Sequence, residues 1–336
     1  FNPLHNGHKY LLERARAESG CDFILCVMSG CFTQRGDMCR TDKFLRAKHA
    51  ILSGADAVIE LPTPFAVAPA EIFARGAIEQ LKGINGEITL AFGCESGTAD
   101  DFTGAARVLN AESEIFKRRL AEYSESGESY IRSYSAAFKA CGGNEEFISS
   151  PNNILGVEYA KSVLRAGLDV TLLPIKRVGA GYNDCGLCGN YSSASGIRAN
   201  ADNPAIKDNM PDYSYYDFIA SPDRREKFET LAVDWLYLCD KENLKRVYGC
   251  TEGLENRLKK LTLGNGYNQI IDGAASKRYS KTRIRRILTA NLLGLYADET
   301  QKLFDCSTPK KILAVKKSRA DEILPLLSDA EETDEG

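Results

Sequence analysis

The sequence lacks what a membrane protein or a general polyanion binder needs. No apolar stretch approaches the roughly 20 residues of a spanning helix, so no membrane partner is expected. Nor is there an excess of positive charge. Lys and Arg number 43 against 46 Asp and Glu, a net charge of -3, so any polyanion site has to come from local clustering. No secretory signal, internal repeat or low-complexity segment is read. The eleven cysteines are scattered without such a signal, which predicts reduced thiols and a cytoplasmic protein rather than a disulfide scaffold. Histidine is scarce, with three residues in 336. Two of those three share one turn.

Hydrophobic residues at 43% and charged residues at 26% are ordinary globular usage, and the length suits two or three domains. The chain opens at Phe1 with no strand before it, so a preceding segment is expected. Residues 8–18 read as a helix, and the apolar run 22–28 as a strand buried on both faces. Thr41 or Asp42 caps a second helix with Phe44, Ala47 and Ile51 on one face, Gly54 ends it, and 57–61 is the next strand. Residues 69–82 are helical before Gly83, and 88–92 is a third buried strand. Ser150-Pro151 starts a helix that runs to Arg165, Gly167 closes it, and 170–175 is a further strand. Strand and helix in alternation imply an α/β fold with a parallel sheet. From about 203 onward the pattern is helical, notably 221–240 and 278–296, without a comparable buried strand. The expected organisation is therefore a Rossmann-like α/β domain over 1–200, a mainly α-helical C-terminal region over 201–328 and an acidic tail or truncation point over 329–336.

The two histidines that share a turn lie in His5-Asn6-Gly7-His8, at a helix start, where free N–H groups and the helix dipole favour anions. Gly7 allows close backbone approach, Lys9 adds a charge, and the imidazoles are placed to donate to charge developing on a phosphorus atom. On spacing alone, the same residues also describe a polar surface turn. Metal binding by the pair is disfavoured, since one other His is present and no carboxylate stands at ligand spacing. Downstream, Tyr191-Ser-Ser-Ala-Ser-Gly-Ile-Arg198 puts hydroxyls at another helix start, either an ordinary Ser cap or a second phosphate patch.

Together the two motifs resemble the nucleotidyltransferase superfamily related to class I aminoacyl-tRNA synthetases. Further strings narrow the resemblance: Ser29-Gly-Cys-Phe-Thr-Gln-Arg-Gly36 with Asp42-Lys43, Ala55-Asp-Ala-Val-Ile-Glu-Leu-Pro62, Phe92-Gly-Cys-Glu-Ser-Gly97, Ser150-Pro-Asn-Asn-Ile-Leu-Gly156 and Ile175-Lys-Arg-Val-Gly-Ala-Gly-Tyr182. These are similar to the bacterial tRNA(Met) cytidine acetate ligase family, collinearly over 1–200 and again at 276–286. The resemblance implies that ATP and acetate form acetyladenylate, whose acetyl group passes to the wobble cytidine of elongator tRNA(Met). It implies ATP as co-substrate with Mg²⁺, no acetyl-CoA and no protein partner. It places Phe1, Asn2, Pro3, Leu4, His5, Asn6, Gly7, His8, Lys9, Tyr10 and Leu11 at the ATP, with His5, His8 and Lys9 catalytic. Gly93, Asn152, Arg177 and Ser193 complete the implied nucleotide site. Cys31 departs from the polar amide expected in relatives.

The run 276–286 holds six basic residues, Lys277, Arg278, Lys281, Arg283, Arg285 and Arg286, with Tyr279 among them and no acid. Read alone, it is a solvated helix face above a stripe of Ile284, Ile287 and Leu288. The resemblance makes it a tRNA-binding patch, in which basic groups hold phosphates and the aromatic stacks on an unpaired base. Cys185-Gly-Leu-Cys188 is a lone CxxC with weak claims to zinc or redox chemistry, and Cys26 reads as a core thiol. Two other functions share these features. An adenylyltransferase for a small phosphorylated metabolite uses the same ATP site without the basic run, and a non-catalytic tRNA-binding protein uses the basic run without the histidines.

Overall fold

The computed structural model describes residues 1–126, 128, 130–179, 186, 187, 189–306 and 308–327. The CxxC pair, residues 180–182 and the acidic tail lie outside the described residues. Among the described residues five strands are formed, Leu25–Ser29 (β1), Ala57–Leu61 (β2), Ile88–Cys94 (β3), Val170–Lys176 (β4) and Lys311–Val315 (β5). β1 pairs with β2 in parallel, from Leu25 opposite Ala57 to Ser29 opposite Leu61. β3 and β4 form a second parallel pair, from Ile88 opposite Val170 to Cys94 opposite Lys176. β2 is buried at every residue. β1 alternates between buried and half-buried positions, and β3 is half-buried over most of its length. Both are less enclosed than the expectation of strands buried on two faces.

Helix α1, Asn6–Ser19, lies against β3 and β4. Its Leu12 and Ala15 join Leu4, Cys26, Met28 and Ile175 in one apolar cluster. That cluster draws residues from both sheets, so the turn of His5 to His8 is fixed beside the carboxyl ends of the strands. Open α/β sheets bind ligands there. Helix α2, Lys43–Leu52, begins at an Asp42 cap whose side chain accepts from Phe44 N. Its buried face is Arg46, Ala47, His49 and Ala50. Phe44, expected on the inner face, is 54% exposed. Arg46 takes the interior because its guanidinium finds carbonyls there, as described below.

The later helices Arg225–Leu238, Leu254–Leu261, Tyr267–Ala274 and Lys281–Leu293 enclose a separate core of Phe228, Leu236, Leu258, Ile270, Ile284 and Leu288. The chain then returns. β5 pairs antiparallel with β2 at the edge of the first sheet, and the following helix, Ala320–Leu327, sets Ile323 and Leu327 against Ala57 and Ile59. The first sheet is thus mixed. β5 escapes a search for buried runs because Lys311 and Ile312 are exposed.

Candidate nucleotide site and basic helix

His5 is the N-cap of α1, with extended backbone at φ -135° and ψ 172°. Gly7 N donates to His5 Nδ1 at 3.1 Å, and His5 N donates to His8 Nδ1 at 3.3 Å. Each imidazole therefore accepts through Nδ1 and, when neutral, carries its proton on Nε2. The rings are stacked and tilted, 3.8 Å between centroids. A Cβ at Gly7 would lie 2.9 Å from His5 Cε1, so the turn needs glycine for close approach. Burial first, then the Arg177 guanidinium, lower the His5 pKa to about 3, with Arg198 a smaller contributor. Burial and the neighbouring His5 hold His8 well below its ordinary value. Both rings are neutral donors at physiological pH.

The rest of the opening segment is fastened around this pair. Phe1 stands edge-on to His8 at 4.9 Å, Pro3 is buried, and Leu4 is fully buried in the core. Asn2 accepts from Arg40 N at 3.3 Å through Oδ1, and its carbonyl accepts from Arg198 at 2.6 Å. Asn6 Nδ2 donates to the Asn190 and Asp208 carbonyls, both at 2.9 Å. Tyr10 meets Tyr191 edge-on, and Leu11 packs on the core. Lys9 is different. Its ammonium lies 3.8 Å from Glu13 on the exposed face of α1, away from the imidazoles.

At the carboxyl ends of β3 and β4, Gly93 and Arg177 are neighbours. A Cβ on Gly93 would meet Arg177 Cγ at 3.4 Å, and Arg177 N donates to Cys94 O at 3.0 Å. Arg177 acts electrostatically on both histidines. Asn152 lies at the start of helix Pro151–Ala166 and donates to Glu95 Oε1 at 2.6 Å. The other Glu95 oxygen accepts from Ser150 Oγ at 3.0 Å and Asn153 N at 3.1 Å. Glu95, rather than Ser150, thus caps this helix. Ser193 is the N-cap of helix Ala194–Ala199, its Oγ accepting from Gly196 N at 3.0 Å. His5, His8 and Arg177 come together, with Gly93 beside them, whereas Lys9 turns away.

Two contributors lay outside the sequence reading. Arg46 is 1% exposed. It donates to the Phe1, Ser29 and Thr41 carbonyls at 3.2, 3.1 and 3.0 Å and also to Gly30 O. Arg198, inside the quoted Ser motif, holds Asn2. Arginine in a helix carries no signal that separates such a buried clamp from a solvated charge.

The basic run divides by environment. Lys277, Arg278 and Lys281 are exposed, and Arg283, Arg285 and Arg286 are half-buried on helix Lys281–Leu293. Arg278 pairs with Glu252 at 2.8 Å, and Lys281 with Asp272 at 2.7 Å. Arg283 donates to Thr251 Oγ1 at 2.8 Å and stands 5.0 Å above the Tyr279 ring. Arg286 Nη1 donates to Gln34 O at 3.4 Å, and burial lowers its pKa to about 10. Among the described residues, no group of three His, Cys, Asp or Glu side chains is placed to hold a metal, and no helix is long and apolar enough to cross a membrane.

A Rossmann-like α/β fold with paired imidazoles at a helix start defines a class. The chain belongs to the HIGH nucleotidyl transferase family, whose description matches residues 1–332. Within it, the relatives are tRNA(Met) cytidine acetate ligases. The chain is 35% identical over 328 residues to that of Acetivibrio thermocellus, covering 92% of this chain and 79% of the relative. It is 38% identical over 297 residues to that of Caldicellulosiruptor saccharolyticus, covering 86% and 74%. The crystal structure of apo Thermotoga maritima TmcAL superposes with a TM-score of 0.90 at 30% identity, covering 97% of this chain and 81% of that one. The same enzyme bound with alpha-thio ATP superposes at 0.88.

Proposed function

We propose that this protein is an ATP-dependent acetate ligase that forms acetyladenylate and acetylates the wobble cytidine of elongator tRNA(Met), giving N4-acetylcytidine. The observation that carries the reading is the pair of neutral imidazoles accepting at Nδ1, His5 buried and His8 half-buried, beside Arg177, in a chain 35% identical to a tRNA(Met) cytidine acetate ligase.

In the first step an acetate oxygen attacks the α-phosphorus of ATP. The new O–P bond forms as the bond to the β-phosphate bridging oxygen breaks, and pyrophosphate leaves. Charge builds on the α-phosphoryl oxygens, where Nε2–H of His5 and His8, the first N–H groups of α1 and the Arg177 guanidinium supply fixed donors. Neutral donors serve because they hold charge without surrendering a proton. In the second step the cytidine N4 amine attacks the acetyl carbon, the C–O bond to AMP breaks, and N4 loses a proton. Adenylation makes AMP the leaving group, so acetyl-CoA is not required. Mg²⁺ enters with ATP. Among the described residues no carboxylate cage is placed for the ion, so Mg²⁺ would be carried by the nucleotide and would supply charge neutralisation at the phosphates. The half-buried Arg285 and the exposed Lys277 are the members of the basic run best placed for RNA phosphates, because Arg278 and Lys281 are engaged by acids.

Acetate-dependent ATP–pyrophosphate exchange, followed by nucleoside mass analysis of elongator tRNA(Met), tests the reading. Exchange and N4-acetylcytidine are the expected results. ATP turnover only with a phosphorylated metabolite makes the protein a small-molecule adenylyltransferase, and RNA binding without turnover makes it a non-catalytic binder.

A further inference from the structure

The segment after β1 leaves the nucleotide site, crosses to the helical core and comes back. Thr33 N donates to Asp37 O, Cys39 N to Cys31 O, and Phe32 and Met38 form an antiparallel bridge, so 31–39 is a closed hairpin-like unit. Its root is fixed to the opening segment on both limbs. On the outgoing limb, Arg46 gathers the carbonyls of Ser29 and Gly30 with that of Phe1. On the returning limb, Arg40 N donates to Asn2. Phe1 and Asn2 are the residues that lead into His5. The middle is embedded in the other body, where Phe32 and Met38 join the helical core and the Phe32 ring lies 5.7 Å from Phe228.

The tip is fixed to the basic helix. Gly36 O accepts from Thr289 Oγ1 at 2.7 Å, and Gln34 O accepts from Arg286. Gly36 has φ +81°, and a Cβ there would lie 2.7 Å from Arg286 N and 2.8 Å from Arg285 C. Only glycine satisfies both the left-handed backbone and the contact with helix backbone.

We infer that the 31–39 hairpin is a positioning element for acetyl transfer, holding the basic helix in register with the imidazole pair so that RNA bound on one body meets an adenylate formed on the other. The inference rests on the ligase reading. Forming acetyladenylate requires the nucleotide side alone, whereas transfer requires both bodies in register, and a misplacement of about 1 Å can cost ~10²-fold in such a step.

The two half-reactions separate this role from simple structural support. In the full chain, Gly36→Ala and Thr289→Val are expected to lower the melting temperature but, measured well below it, to retain acetate-dependent ATP–pyrophosphate exchange and tRNA affinity. Single-turnover transfer from preformed acetyladenylate falls by ~10- to 100-fold, and Thr289→Ser restores it. Should Gly36→Ala fail to fold, Thr289→Val carries the test, since it removes one hydroxyl and keeps the shape. Exchange and transfer lost in equal proportion, transfer loss explained by weaker tRNA binding, or unchanged transfer overturns the inference. A wild-type protein that exchanges pyrophosphate with acetate but never acetylates tRNA overturns the ligase reading itself.

Discussion

The protonation of His5 and His8 sets two different pH dependences. Because both rings are already neutral, the pH–rate profile of acetate-dependent exchange is expected to show no inflection near 6.5, the ordinary histidine value. A limb there would mean that an imidazolium does the work. His8→Ala is expected to lower exchange by about 10²–10³-fold while tRNA affinity, measured by filter binding, stays constant. Stability follows a separate course. Above pH 6.5 the folded and unfolded chains both hold His5 neutral. As pH falls from 6.5 toward the folded value of about 3, the unfolded chain binds a proton that the buried site refuses. Stability from this ring is thus complete above 6.5 and is lost on acidification, by about 1.4 kcal/mol per pH unit. Urea titrations at several values between pH 7.5 and 4.5 check this, with His5→Gln expected to flatten the slope. The histidine pair was legible in the sequence because two scarce residues share one turn. Arg46 was not, since its partners Phe1 and Ser29 lie 45 and 17 positions away and nothing local marks their carbonyls as awaiting a donor.

The helix Lys281–Leu293 shows what a single element reveals of itself. Its apolar stripe was readable from spacing, and Ile284, Ile287 and Leu288 are all buried. Its polar side was readable only as charge. The structure sorts that charge into residues paired with acids, residues clamped to backbone, and Arg285, which lies half-buried near Glu229. Arg285→Ala is therefore expected to weaken tRNA binding and reduce the salt slope of log Kd by about 1, leaving pyrophosphate exchange intact. Lys281→Ala, which breaks an exposed pair with Asp272, is expected to change the slope less, because that cation is already neutralised in the free protein. Equal slopes for the two variants would show that the acid pairs open on binding. β3 and helix Pro151–Ala166 make the same point from the nucleotide side. Gly93 and Asn152 were placed by motif, but Glu95, which ties Asn152, Ser150 and Asn153 together, looks like any loop acid until the helix start packs against it.

At the scale of the whole molecule, a division near residue 200 describes the change of pattern along the chain better than it describes the packing. Residues beyond 300 complete the first sheet. Lys311 and Lys43 both reach Glu60, which is buried in β2, at 3.2 and 2.7 Å. Lys316 lies 3.8 Å from the buried Asp56, and Phe304 meets Phe65 in a tilted contact with 4.7 Å between ring centroids. A fragment of residues 1–200 would lose β5, leave β2 as an open edge and strip Glu60 of one cation, and a buried charge deprived of a partner is strongly destabilising. It would also expose the faces of Phe32 and Leu61. The fragment is expected to be aggregated or molten, with no ATP-induced rise in melting temperature, whereas adding residues 201–327 in trans restores a cooperative transition. A graded version of the same argument uses the intact chain. Ile323→Ala trims the packing of the last helix in the cluster that holds Ala57 and Ile59, and is expected to cost about 3 kcal/mol in urea unfolding. If the return of the chain is what keeps β2 in place, that variant also raises the KM for ATP, although residue 323 does not belong to the nucleotide site. Unchanged stability would mean that the sheet is complete without its C-terminal strand and helix.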